Sequence, residues 1–235
     1  IAGKAKALYL KRHFLDNVNF SDEKLAYSNV LYINYTNYIN DYGFPETDSV
    51  IACCDDILQR ASASKEVFKW SLYFLGNSFE RSSVTGQDKI FVHLVEQYYQ
   101  KGRCWWLSEE QLKKIDKRSE AFKRVFIGNI CPDFTATDSS GKAVNLHQQI
   151  NKTTVLIFWS YDCKHCVEEM PKLSVWMKKH PEINLVTACL LPDEDAWKEK
   201  LKTFKLPGTH VIDTNGRANY LELYSIYSTP QMFII

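Results

Sequence analysis

The feature that most constrains the fold is the segment Trp159-Ser160-Tyr161-Asp162-Cys163-Lys164-His165-Cys166. Thr154 to Trp159 is short, apolar and partly β-branched, which predicts a buried strand. The residues after Cys166, including Val167, Met170, Leu173, Val175 and Trp176, follow a helical period. Cys163 is therefore expected where a strand ends and a helix begins. Unpaired N–H groups and the macrodipole at a helix N-terminus stabilise a thiolate, the species that attacks disulfides. Residues three apart on a helix are neighbours, so Cys166 can close a disulfide on Cys163. A zinc site with this motif usually needs a second Cys/His pair at ligand spacing, and no remaining histidine or cysteine is arranged that way. The expectation is a redox dithiol with no metal.

The surrounding pattern divides the chain. Residues 1–126 read as a helical domain. Ser21-Asp22-Glu23 opens a helix from Leu25 to Tyr42, stopped by Gly43-Phe44-Pro45. Thr47 or Asp48 caps a second that ends near Ala63, and Ser64-Lys65-Glu66 starts a third that ends before Ser82. Another runs from about Gln87 to Gln100, and Ser108-Glu109-Glu110-Gln111 is a capping-box pattern ahead of a fifth. Residues 127–235 change character. Pro132 to Leu146 alternates around a Ser-Gly turn and predicts a β-hairpin. Strands at 154–159, 183–190, 211–213 and 231–235 then alternate with helices near 164–179, 194–204 and 217–226, the pattern of an α/β layer architecture.

The formal charge of +1 gives no electrostatic argument for nucleic acid or a membrane surface. No apolar run approaches the ~20 residues that span a bilayer. The sequence begins at Ile1, so any export signal or anchor is expected to have been removed or left out. Of the seven cysteines, Cys53, Cys54 and Cys189 sit in apolar helical or strand patterns that suit small buried hydrophobes.

Pro132-Asp133-Phe134, the Phe158-Trp159 strand end, Cys163-Lys164-His165-Cys166, Glu169 with Pro171, and Ser228-Thr229-Pro230 together resemble the thioredoxin fold. The group they resemble most is the TlpA/ResA-like exported bacterial thiol–disulfide oxidoreductases of the AhpC/TSA superfamily. The helical half resembles a poorly characterised domain that precedes such domains in exported bacterial proteins. The resemblance implies that Cys163 attacks and Cys166 resolves the mixed disulfide. Lys164 and His165 would favour a low thiol pKa, Asp162 would oppose it, and Trp159 completes the surroundings. Glu169, three residues after Cys166, would bring a carboxylate to the resolving thiol and shuttle a proton if half buried. Where thioredoxin carries a buried Asp, this chain has Ile157. Pro230 would be cis, with the backbone of Thr229 pairing with an extended substrate.

The resemblance further implies a periplasmic or cell-envelope protein, with a membrane anchor through a removed N-terminal signal. Its substrates would be protein thiols and disulfides, its electron source a membrane protein, and its only cofactor the Cys163–Cys166 disulfide. The family leans toward reduction, while His165 just before the second cysteine resembles more oxidising members, so the direction stays open. Thioredoxin folds continue beyond the cis-Pro strand with a further strand and helix, and the sequence stops at Ile235. A C-terminal piece is therefore expected to be missing. The helical domain is expected to present partners or substrates, or to form a homodimer. Two other functions compete: a peroxiredoxin-type peroxidase, since Pro132-Asp133-Phe134 is shared with that group, and a binding module with an incidental dithiol.

Overall fold

The computed structural model describes residues 2–82 and 84–235, which cluster into two compact units divided between Ile127 and Gly128. In the first, α1 (Ala2–His13), α2 (Asn29–Tyr42), α3 (Thr47–Ala61), α4 (Lys65–Glu80), α5 (Asp88–Leu94) and α6 (Glu109–Arg124) surround an apolar core. α3 shows why. Val50, Cys53, Cys54, Ile57, Leu58 and Ala61 fall at helical intervals and are all fully buried. Burial of each large side chain of this kind contributes roughly 1.5–3 kcal/mol. The opposite side of α3 ties neighbouring helices together through charge. Asp55 accepts from the Tyr98 hydroxyl at 2.8 Å and lies 2.8 Å from His93 Nε2, while Asp56 accepts from Tyr38 at 2.9 Å and Arg60 at 3.0 Å.

Details differ from the sequence reading: α1 is a helix it does not anticipate, and the helix expected near 217–226 is the single turn Tyr220–Leu223. The first long helix is broken: Glu23–Tyr27 forms a 3₁₀ turn, and Ser28 then caps α2 by accepting from the N–H of Val30. A local side-chain bond to the backbone competes successfully with continued helix there. The cap of α3 falls at Glu46, which makes no side-chain capping bond, so neither Thr47 nor Asp48 caps it. Ser108 and Gln111 do form the reciprocal capping box of α6. α5 continues into a π-helical turn, Val95–Tyr99.

The second unit has a thioredoxin-like fold, as the family resemblance implies, within the α/β layering that the sequence pattern predicts. Its elements are β1 (Thr135–Asp138), β2 (Ala143–Asn145), β3 (Thr154–Trp159), α7 (Lys164–Met177), β4 (Asn184–Cys189), α8 (Glu194–Phe204), β5 (Thr209–Ile212), α9 (Tyr220–Leu223) and β6 (Gln231–Ile234). One mixed sheet runs in the order β2-β1-β5-β4-β3-β6. β3, β4 and β5 are parallel, while β1 and β6 run antiparallel to their neighbours β5 and β3.

Alternation along β3 sends Ile157 and Trp159 to a core shared with Cys166, Met170 and Met177 of α7 and Trp197 and Phe204 of α8. Phe158 points the other way, into an aromatic cluster with Phe134, Tyr220, Tyr224 and Phe233. Gly208 ahead of β5 has φ +101°, and a Cβ there would press on the Leu185 carbonyl oxygen, so glycine alone fits. Among the described residues, no helix is long and apolar enough to cross a membrane.

Candidate functional site

β3 delivers the chain to the C-terminal end of the parallel strands, where α7 begins. Cys163 is the N-cap of α7, with extended backbone dihedrals, and its Sγ accepts from the N–H of Cys166 at 3.2 Å. A thiol thus occupies the place where Ser or Asp commonly satisfies the first free amides of a helix. Cys163 is half-buried and Cys166 fully buried. Both are free thiols.

The two environments push the pair apart. Burial raises the Cys163 pKa, but the Cys166 thiol, the Thr229 hydroxyl and the amides of Cys166 and His165 outweigh it, and the net shift is downward. Cys166 moves the other way, to about 11: burial dominates, and its hydrogen bond with Cys163 adds to the rise. One thiol is thereby prepared to attack while its partner stays protonated at neutral pH.

The sequence-predicted residues fall into two groups. Thr229 joins the dithiol: the Cys163 thiol donates to its carbonyl oxygen at 3.2 Å, and the Thr229–Pro230 peptide is cis. Trp159 is fully buried beneath the pair, in the core that also holds Cys166 and Ile157. Asp162, Lys164 and His165 are exposed, and the groups that lower Cys163 are hydrogen-bond donors rather than the charges of these side chains.

Glu169 departs from its expected place. It is exposed, and its carboxylate pairs with Lys172 at 2.7 Å. It has neighbours at −3 and +3 on α7, Cys166 and Lys172. It turns to the solvated cation because the charged carboxylate keeps its hydration there. Glu168, also exposed, lies 3.9 Å from Lys164. Pro171, inside α7, has no N–H to give the helix ladder.

Sequence reasoning missed two hydroxyl groups. It took only the backbone of Thr229, whereas the Thr229 side chain is also among the groups that hold both thiol pKa values down. It also passed over Ser160, which is only 8% exposed and whose Oγ lies 3.5 Å from Thr229 Oγ1. A polar residue at the end of an otherwise apolar strand was the available signal.

Cys53, Cys54, Cys104 and Cys189 are buried, and burial raises every one of their pKa values, to about 11 for Cys104 and Cys189. No group of three or more metal-ligating side chains occurs among the described residues.

Comparison with known proteins matches both halves. Residues 2–124 match the domain of unknown function DUF5106, and residues 127–235 match the AhpC/TSA family. A thiol–disulfide oxidoreductase ResA from Bacillus thuringiensis subsp. konkukian is 30% identical over 115 residues, 48% of this chain and 65% of that protein. ResA from Bacillus subtilis is 26% identical over 110 residues, 46% of this chain and 60% of that protein. The chain thus spans less than two thirds of the length of either relative. The crystal structure of a thioredoxin-like protein from Bacteroides caccae superimposes with a TM-score of 0.79 at 19% identity, covering 100% of this chain and 86% of that one, which establishes a shared fold.

Proposed function

This chain belongs to the DUF5106 family and carries an AhpC/TSA-family thioredoxin-fold domain in its second half, and from that premise we propose that it is a thiol–disulfide oxidoreductase working through Cys163 and Cys166. The observation that carries the reading is the asymmetry of the pair. A half-buried sulfur caps a helix N-terminus, and a fully buried one lies a turn behind it. In the reductive direction, the Cys163 thiolate attacks one sulfur of a protein disulfide, and the departing sulfur leaves as a thiolate that takes up a proton. Cys166 then loses its proton and attacks the Cys163 sulfur, releasing the second substrate thiol. Two electrons and two protons pass to the substrate, and the Cys163–Cys166 disulfide remains. No other cofactor is required.

The resemblance to ResA supports reduction of exported proteins in the periplasm or cell envelope, with electrons returned by a membrane partner. Thr229 and Pro230 would border the substrate segment, with the Thr229 carbonyl, already an acceptor for the Cys163 thiol, facing the incoming chain. Trp159 shields the pair from behind. Lys164, His165 and Asp162 tune the encounter from the exposed side, and Glu169 belongs with them as a surface charge rather than a proton shuttle. The helical unit would present substrates or a partner, or mediate dimerisation. A cleft of about 280 Å³, lined by Tyr73, Phe91, Tyr99, Trp106 and other side chains but by no cysteine or histidine, suits binding rather than chemistry.

The test is equilibration in glutathione buffers, alkylation of remaining thiols and peptide-resolved mass analysis. A reversible two-electron couple confined to Cys163 and Cys166 is expected. A potential near or below roughly −250 mV marks a reductant, and one near about −120 mV an oxidant. Absence of a Cys163–Cys166 disulfide at every ratio would overturn the reading.

A further inference from the structure

Trp105 and Trp106 are the central residues of a turn in the helical unit, closed by the Leu107 N–H on the Cys104 carbonyl at 3.0 Å. The two indoles stand at 86° to each other, 5.5 Å apart. Trp106 packs edge-on against the core ring of Phe68, and Trp105 is left 57% exposed. Two cations lean over the exposed ring: Lys65 Nζ lies 5.9 Å and Lys69 Nζ 5.8 Å from its centroid. A third is next to them. Arg103 lays its guanidinium over Phe68 at 4.3 Å and Tyr98 at 5.4 Å, and donates to Ser62 Oγ at 2.8 Å. None of the three pairs with a carboxylate among the described residues, and Glu66, between the lysines in sequence, joins none of them.

This cluster works against local stability. Lys65 stands in the first turn of α4, at the positive end of the helix dipole, and like charges four residues apart on a helix repel. A carboxylate at position 65 would relieve both effects. The exposed indole also forgoes burial. With a formal charge of only +1 on the whole chain, the positive charge here is local. Local rules broken together, with no compensating partner inside the chain, are the mark of a functional surface.

We infer that Trp105 with Lys65, Lys69 and Arg103 is a docking site for an acidic, extended segment of a partner protein. An apolar side chain of that segment lies against the indole, and its carboxylates meet the cations. The inference gives a chemistry to the partner-binding role proposed for the helical unit and rests on that role, not on the dithiol. Four residues of helix rise about 6 Å, close to the roughly 6.7 Å between alternate residues of an extended chain, so Lys65 and Lys69 match acidic residues at alternate positions. Arg103 is held in place by Ser62 and two rings, which lowers the entropy lost on pairing. An exposed tryptophan beside an arginine is the pairing that protein interfaces favour at their energetic centres. Three cations fall short of the roughly six to ten phosphate contacts of a nucleic-acid binder and of the about four to eight basic residues that hold an anionic membrane.

The test titrates the full chain against a fluorescein-labelled peptide in which glutamates alternate with leucine and phenylalanine, read by anisotropy at low and moderate salt. Saturable binding that weakens with salt is expected. K65Q/K69Q and R103Q should each weaken it roughly tenfold, and W105A roughly thirtyfold, with far-UV spectra unchanged. K178Q/K179Q, the same charge change as the lysine pair but in the other unit, should alter it less than about twofold. If W105A does not fold, the lysine pair decides. No saturable binding, equal affinity for the glutamine version of the peptide, or equal losses in K65Q/K69Q and K178Q/K179Q would overturn the inference. So would tighter binding of an oligonucleotide or of phosphatidylglycerol vesicles than of the peptide. C163S/C166S should bind as wild type does. A chain that binds the peptide but never forms its Cys163–Cys166 disulfide loses only the oxidoreductase reading, and one that forms the disulfide but ignores the peptide loses only this inference.

Discussion

The helical unit and the α/β unit spend cysteine in opposite ways. In the first, Cys53, Cys54 and Cys104 are sealed in the apolar core, where burial pushes their pKa values up and leaves them small hydrophobes. In the second, Cys166 and Cys189 are buried with the same consequence, but Cys163 caps α7 and shifts down. What differs is the backbone at the sulfur. In the helical unit, polar side chains close on one another, as Asp55 and Asp56 do with Tyr98, Tyr38 and Arg60. At the dithiol, the Cys166 N–H is turned toward the Cys163 sulfur, which itself donates to the Thr229 carbonyl. Burial makes a thiol inert, and oriented donors make one reactive.

The strongest way to press on this contrast is C163S. Disulfide exchange, followed as thiol release from a disulfide-bearing protein, should fall by roughly a thousandfold or more, as loss of a nucleophile does. The far-UV spectrum and the unfolding of the helical unit should be unchanged. Surviving exchange would move the chemistry elsewhere.

The next effect separates the two sulfurs of the pair. A lowered pKa keeps Cys163 partly thiolate as pH falls below the usual thiol range. A pKa raised to about 11 keeps Cys166 protonated throughout it. At pH 7–8, Cys163 should therefore alkylate roughly a hundredfold faster than Cys166 or more. Comparable rates on the two peptides would erase the asymmetry.

Two stability variants test whether each unit keeps its own account. Leu72 is fully buried in the helical core, and L72A should cost about 2–5 kcal/mol in urea unfolding of that unit. It should leave the Cys163 alkylation midpoint alone, and a coupled shift would show that the contrast between the units is incomplete. G208A places a Cβ against the Leu185 carbonyl in a left-handed backbone position and should destabilise the α/β unit by about 2–3 kcal/mol. The smallest effect is assigned to E169Q. With Glu169 exposed and paired to Lys172, rate and midpoint should change less than about twofold. A larger change would return the carboxylate to the mechanism.

Much of the site was legible because its signals are local. An apolar β-branched run ending at Trp159 and a helical period beginning after Cys163 place the sulfur at the α7 N-terminus without tertiary knowledge. The capping box at Ser108 is equally local. What escaped depends on which of two available partners a side chain takes. Ser28 could have continued a helix but bonded to the N–H of Val30. Glu169 could have turned to Cys166 or to Lys172, and its spacing to each is the same. The Ser160–Thr229 contact joins β3 to the loop before β6, and no local pattern announces a pairing 69 residues apart.

The most direct measurement of the central claim is mixed-disulfide trapping with C166S and C163S, each incubated with a disulfide-bearing protein and resolved without reductant. C166S should accumulate a covalent adduct at Cys163 because the buried resolving thiol is gone, and C163S should form none. Adducts of equal yield in both variants, or an adduct only in C163S, would contradict the assignment of Cys163 as the attacking sulfur.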